Sequence, residues 1–190
     1  MEVFFDEASH TYSIKIPGGF RTILGVTTAL RIAGLVEDAW FTPEAAERGK
    51  LVHLATCYSD DGELDEASLD ERILPYVYAW QRFREDTGAI VLAKETVVVD
   101  RAGRYAGTFD RLLQYPGSTR KTLIDIKTGA PQPWHHIQTA AYAYCLDEPV
   151  FRESVYIDKD GDYKRESHPD RNDEIVWQAC LTLALWKEAK

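Results

Sequence analysis

The chain has few cysteines, no long apolar run and no excess of basic residues, and each shortage removes a class of protein. Cys57, Cys145 and Cys180 are odd in number, widely spaced and without a CxxC pair. They frame neither a disulfide scaffold nor a zinc or iron–sulfur site, and they read as buried free thiols. No apolar stretch approaches the roughly 20 residues that span a bilayer. The opening MEVFFDEASH lacks the basic flank and apolar run of a secretory signal, so a cytoplasmic protein is expected. Lys and Arg number 22 against 31 Asp and Glu, a net charge of -9. That balance argues against a sequence-independent nucleic-acid coat, though not against an enzyme with a local basic groove and acids that hold cations. There is no internal repeat, low-complexity tract or linker, and no evident loop for a small-molecule phosphate.

What is present fits one folded domain: 190 residues, 45% hydrophobic and 28% charged, with 5 Trp and 10 Tyr. Val3 to Phe5, then Tyr12, Ile14 and Ile16 at period two before Pro17-Gly18-Gly19, predict a hairpin or edge ribbon. Thr27-Thr28 opens a short helix that closes at Gly34. Thr42-Pro43-Glu44 is a stronger start, with a cap, a proline at the first helical position and an acid for the dipole, and the helix it opens contains His53. The acidic run from Ser59 to Glu66 reads as a solvated loop. Leu69, Ile73, Val77, Trp80 and Phe83 mark a helix from Ser68 to Thr87 with Pro75 breaking or kinking it. Three extended segments follow, Ile90–Arg101, Arg104–Tyr115 and Lys121–Lys127, separated by turns of hairpin length and so expected as an antiparallel meander. A helix from about Pro133 to Leu146, strands near Val150–Asp158 and Tyr163–Ser167, and a helix from Asp173 to Lys187 complete the chain.

The meander carries the chemistry. A hairpin centred between Gly117 and Ser118 sets Asp110 opposite Asp125, and one centred between Ala102 and Gly103 sets Glu95 opposite Asp110. Three carboxylates would then run across neighbouring strands, with Cα atoms roughly 4.5–5.5 Å apart. Like charges so placed destabilise a sheet, and a divalent cation held by hard oxygen ligands would compensate. Lys127, two residues beyond Asp125, shares its face and can orient or deprotonate a water or offset charge on a phosphate. The alternative is a row of solvent-facing acids with a surface ion pair, against which stand Leu123, Ile124 and Ile126 around Asp125. Gln138 and Tyr142, four apart on the next helix, can hold a nucleic-acid backbone or buttress the lysine. His135 and His136 at that helix's entry could bind phosphate, but solvent-facing positions are the preferred reading. His10 and His168 read as surface or structural.

Gly107-Thr108-Phe109-Asp110, Asp125-Ile126-Lys127 and Gln138 through Tyr142 resemble the GxxD, DxK and QxxxY motifs of the PD-(D/E)XK nuclease superfamily, in its RecB-like, phage-type exonuclease branch. Arg48 through His53 is similar to the branch's RGxxxH-type motif. His10-Thr11-Tyr12 with Val26 to Leu30 is similar to the opening of small phage-encoded members. The resemblance implies an α/β (α+β) fold with a restriction-endonuclease-like core, a central mixed sheet with an antiparallel meander flanked by helices. It divides one domain, 1–190, into an N-terminal ribbon and helical elaboration over about 1–88 and a catalytic core over about 89–190. It makes Asp110 and Asp125 metal ligands, completed by the Ile126 carbonyl and by His53, with Glu95 a further acid. Lys127 becomes catalytic, and Gln138 and Tyr142 become substrate contacts. The cofactor implied is one or two Mg²⁺ or Mn²⁺ ions. No iron–sulfur cluster is expected, because relatives that hold one use four cysteines. DNA is the expected partner and a recombination or single-strand-annealing protein a candidate one, in a bacterial or phage-infected cell. The competing class is a catalytically silent nuclease-fold module that binds DNA or protein.

Overall fold

The computed structural model describes residues 1–37 and 42–190. The N-terminal ribbon has three strands rather than two, β1 (Val3–Asp6), β2 (Thr11–Ile16) and β3 (Gly19–Gly25). The third was missed because Gly19-Phe20-Arg21-Thr22 does not alternate apolar and polar residues; its burial pattern opens with four exposed positions. Helix α1 spans Val26–Ala33 and ends at Gly34, whose φ of 90° suits glycine. Helix α2 spans Pro43–Asp61, with the Thr42 side chain accepting from the Ala45 amide at 3.1 Å. The expected helix from Ser68 begins later, as α3 (Leu74–Thr87). Pro75 lies in its first turn, where its missing N–H costs nothing, so it starts the helix instead of kinking it.

The C-terminal half follows the expected order: β4 (Ile90–Val99), β5 (Tyr105–Gln114), β6 (Thr122–Lys127), α4 (Trp134–Tyr144), β7 (Phe151–Ile157), β8 (Tyr163–Ser167) and α5 (Asn172–Glu188). Among the described residues the strands form one mixed eight-stranded sheet. β4, β5 and β6 make the antiparallel meander, β7 runs parallel to β6 after the α4 crossover, and β8 is antiparallel to β7. Strand β6 is buried along Thr122–Ile126, as befits a strand covered on both faces. Helices α1, α4 and α5 pack with Tyr105, Phe109 and Leu123 around Trp177. Helices α2 and α3 pack on the opposite face, against Leu113, Ile124, Ile126, Val155 and Ile157.

One topological feature positions everything below. β4 occupies one edge of β5 along its whole length. The other edge is shared: β3 pairs in parallel with Tyr105 and Ala106, and β6 pairs with Arg111 to Leu113. Gly107 to Asp110 therefore have no strand partner on that edge. The sheet forks there, and the fork opens a cavity.

Candidate active site

Both hairpin registers hold near the carboxylates, although β4 slips by one residue against β5 between Val91 and Ala93. Arg111↔Ile124 and Leu112↔Leu123 extrapolate to Asp110 opposite Asp125. Thr96↔Phe109 and Lys94↔Arg111 bracket Glu95 and Asp110. The backbone ladder is interrupted at these carboxylates, however. Glu95 adopts φ 40°, a left-handed conformation unusual for a side-chain-bearing residue. Asp110 ends the β5–β6 ladder by turning its own carboxylate inward, where Oδ2 accepts the Ile126 amide at 2.5 Å. The N–H and C=O of one strand residue point to the same side, so the Ile126 carbonyl also faces the fork.

Opposite the fork, α2 delivers His53. Its Nδ1 lies 3.4 Å from Asp110 Oδ1 and 3.5 Å from Glu95 Oε1. One donor atom from each of His53, Glu95 and Asp110 falls within 4.8 Å of the others, a nitrogen-and-oxygen set suited to a hard or borderline divalent cation. Electrostatics agree with a cation-seeking cluster. Burial, together with the Asp125 and Glu95 charges and despite His53, pushes the Asp110 carboxyl up to about 6. Burial alone would lower His53, but Asp110 and Glu95 outweigh it and hold the imidazole above its ordinary value. Burial would raise Glu95, but His53 and then Arg111 bring it below the usual carboxylate range.

The second half of the site is a polar relay from β6 to α4. Lys127 Nζ lies 2.7 Å from Asp125 Oδ2 and donates to Gln138 Oε1 at 2.9 Å, 5.4 Å from the centre of the Trp134 ring. Gln138 Nε2 donates to the Tyr142 hydroxyl at 2.9 Å and to Thr27 Oγ1 at 3.2 Å. Gln138 and Tyr142 are largely buried, and Gln138 buttresses the lysine directly while both also line the cavity at the fork. Gly107 explains itself here. A Cβ on it would stand 2.4 Å from Tyr142 Cε1, so only glycine lets that ring lie against the open edge of β5.

All seven side chains, His53, Glu95, Asp110, Asp125, Lys127, Gln138 and Tyr142, line one cavity of about 640 Å³. A neighbouring cleft of about 850 Å³, lined by Arg48, Thr128, Gly129 and Trp134 among others, meets it at His53 and Lys127.

Several polar residues lie elsewhere than expected. Asp60 is no loop residue: it sits in the last turn of α2 with a side chain 1% exposed. Its partner Arg111 was not singled out by sequence at all. The guanidinium is fully buried, donating through Nε to Asp60 Oδ2 at 2.6 Å and through Nη1 to Glu95 Oε1 at 2.8 Å and the Asp110 carbonyl at 2.7 Å. It also lies 5.6 Å from the centre of the Trp80 ring. Only the alternation that sent Asp110 to one face could have flagged a charge on the other. His135 does not face water either. It is buried with Nδ1 2.9 Å from the Tyr156 hydroxyl, and burial pushes its imidazole down to about 2. His168 is buried beside Thr139, a structural position, while His10 is exposed.

No protein-family model matches the chain, and no curated protein matches it. Among solved structures it is similar to an alkaline exonuclease, LHK-Exo from Laribacter hongkongensis. The two share 17% identity with a TM-score of 0.51, over 88% of this chain and 88% of that one. The chain has the fold of that exonuclease. The complex of LHK-Exo with dAMP matches over the same shares at 16% identity and a TM-score of 0.50. At this identity the likeness speaks for the layered mixed sheet and its helices, and the chemistry has to be argued from the residues.

Proposed function

We propose that this protein is a metal-dependent deoxyribonuclease of the PD-(D/E)XK type, RecB-like branch, that hydrolyses phosphodiester bonds at the ends of linear DNA during recombination or repair. The observation that carries the reading is the convergence at the fork of His53, Glu95 and Asp110 with the Asp125–Lys127 pair, in a fold shared with an exonuclease.

The donor set fits Mg²⁺ or Mn²⁺. His53, Glu95, Asp110 and Asp125, which line one cavity, would hold one or two ions, and the Ile126 carbonyl would complete the set. When bound, such an ion supplies polarisation of the phosphoryl oxygen and activation of water. The chain's own groups do the rest. Asp110 is pinned through Oδ2 by the Ile126 amide, so its Oδ1 is presented at fixed geometry toward His53. Lys127 is held between Asp125 and Gln138 and places an ammonium where it orients the attacking water and offsets charge developing on the phosphate. Tyr142 and Thr27 fix Gln138, so the lysine is positioned before substrate arrives.

The second reading, a silent module that binds DNA or a partner protein, is favoured by the net charge of -9. One experiment separates them: wild type, Asp125→Ala and Lys127→Ala incubated with end-labelled linear and closed circular DNA in Mg²⁺, Mn²⁺ or EDTA. Metal-dependent degradation of linear DNA by wild type, reduced about 10²- to 10⁴-fold in Lys127→Ala, is expected. Equal cleavage by all three proteins, or none by wild type, refutes the assignment.

A further inference from the structure

Two residues other than glycine have positive φ among the described residues, His10 at 51° and Glu95 at 40°. Both line the same cavity. A left-handed conformation costs a side-chain-bearing residue of order 1–3 kcal/mol, and such strain concentrates at functional sites. For Glu95 a reason is at hand, since its carboxylate reaches His53. For His10, in the turn between β1 and β2, there is none in the site described so far. Glycine would make that turn at less cost.

The turn is built to present an aromatic step. Asp6 Oδ1 accepts the Ser9 amide at 3.0 Å, and the Ser9 and Thr11 hydroxyls lie 2.8 Å apart, which fixes the backbone on both sides of His10. Phe5 stacks on the buried Tyr12 with ring centroids 4.7 Å apart and an interplanar angle of 25°. The exposed His10 ring then stands edge-on to Phe5 at 5.1 Å. Tyr12 in turn bonds Thr108 Oγ1 on the open edge of β5 at 2.9 Å, so the step is tied to the strand that carries Asp110. Across the cavity α2 contributes the exposed Lys50; partial burial and then the Lys50 charge lower the His10 imidazole below its ordinary value. Aromatic faces beside a cation, at the mouth of a carboxylate-lined cavity, are the parts of a single-strand site: rings for bases, an ammonium for a phosphate.

We propose that the exposed His10 ring, propped edge-on by Phe5, is the stacking platform for one unpaired nucleobase of the DNA strand being cut, with Lys50 taking an adjoining phosphate. The inference rests on the nuclease reading and adds how a strand is admitted. A strand whose end has left the duplex stack exposes an unpaired base at this mouth, and unstacking costs a few kcal/mol. A ring at the mouth offsets that cost without reading sequence, since every base has a π-face.

The test is an abasic scan. Full-length protein is titrated in Ca²⁺ with fluorescent single-stranded oligonucleotides in which each of the four nucleotides nearest either end is abasic in turn, and the same oligonucleotides are incubated in Mn²⁺ to read cleavage. Wild type is expected to bind about tenfold more weakly when one particular position is abasic. His10→Asn keeps the left-handed turn, because asparagine tolerates it, and removes the ring. Phe5→Leu keeps apolar bulk and removes the ring against which His10 stands. In both, the penalty at that position should shrink to less than about threefold while the melting temperature holds. A flat scan in wild type, or an undiminished penalty in both variants, overturns the platform. Cleavage with a flat scan refutes the platform and leaves the nuclease reading standing, whereas a position-specific penalty without any cleavage does the reverse.

Discussion

Arg111 provides the sharpest test of how the site is held. In Arg111→Met the Asp60 carboxylate, 1% exposed, loses the Nε donor at 2.6 Å on Oδ2 but keeps two donors on Oδ1, Arg84 at 2.9 Å and Trp80 Nε1 at 2.9 Å. Removing one partner of a buried ion pair costs about 3–5 kcal/mol, and the surviving donors place this case at the lower end, near ~3 kcal/mol. For a chain of this size that lowers the melting temperature by about 6–12 °C. Urea denaturation should show the loss in midpoint. A second readout separates stability from site geometry. Arg111 Nη1 holds Glu95 Oε1 at 2.8 Å, so Mn²⁺ affinity measured by calorimetry on the folded variant should fall about tenfold, as for other groups that orient a ligand. A stability change below about 1 kcal/mol, or unchanged Mn²⁺ affinity alongside a large one, would refute this view of Arg111.

Three further outcomes follow from the same geometry. Gly107→Ala forces a Cβ to within 2.4 Å of Tyr142 Cε1 and should destabilise by about 1–3 kcal/mol, with a fall in cleavage because Tyr142 carries Gln138 and hence Lys127; urea melts and nuclease assays check both. Asp110→Asn retains a side-chain oxygen for the Ile126 amide and should stay folded while losing Mn²⁺ binding, whereas Asp110→Ala also orphans that amide and should lose a further ~1–3 kcal/mol by denaturation. His135, whose folded pKa is pushed to about 2, stays neutral in the fold while the unfolded chain protonates it below about 6.5. Stability is therefore lost as pH falls from 7 to 5, by about 2 kcal/mol for this residue, and paired denaturation curves of wild type and His135→Gln should differ by that amount across the window.

What could be read from sequence was whatever local chemistry determines. The Ala102-Gly103 and Pro116-to-Thr119 turns set both hairpin registers, which brought Glu95, Asp110 and Asp125 into one row before any coordinates. Thr42 and Pro43 announced α2 and so the helix that carries His53. What escaped depends on partners distant in the chain. Arg111 meets Asp60 across 51 positions and Gln138 meets Thr27 across 111, and nothing in the neighbourhood of either residue signals the other. The solvated appearance of Asp60 came from its acidic neighbours, and burial beside Trp80 and Arg84 is a property of the packed α2–α3 pair. His135 misled for a similar reason: helix entries are usually wet, but here β7 brings Tyr156 beneath it.

The fork explains why these carboxylates can sit in a sheet interior at all. A closed ladder at Asp110 would have set its side chain against Asp125 with no room for a compensating charge. Because β3 leaves β5 after Ala106 and β6 joins it only at Arg111, the intervening edge is open, and the amide of Ile126 is satisfied by the Asp110 carboxylate instead of by a backbone carbonyl. One oxygen of Asp110 thereby closes the sheet and the other faces His53. Glu95 takes a strained backbone to turn toward the same point from β4, and Arg111 anchors its carboxylate to Asp60 on α2. Fold and ligand cluster are thus coupled through two adjacent residues, Asp110 and Arg111. Substitution at either is expected to disturb both stability and cation binding, in proportions that the asparagine, alanine and methionine variants separate.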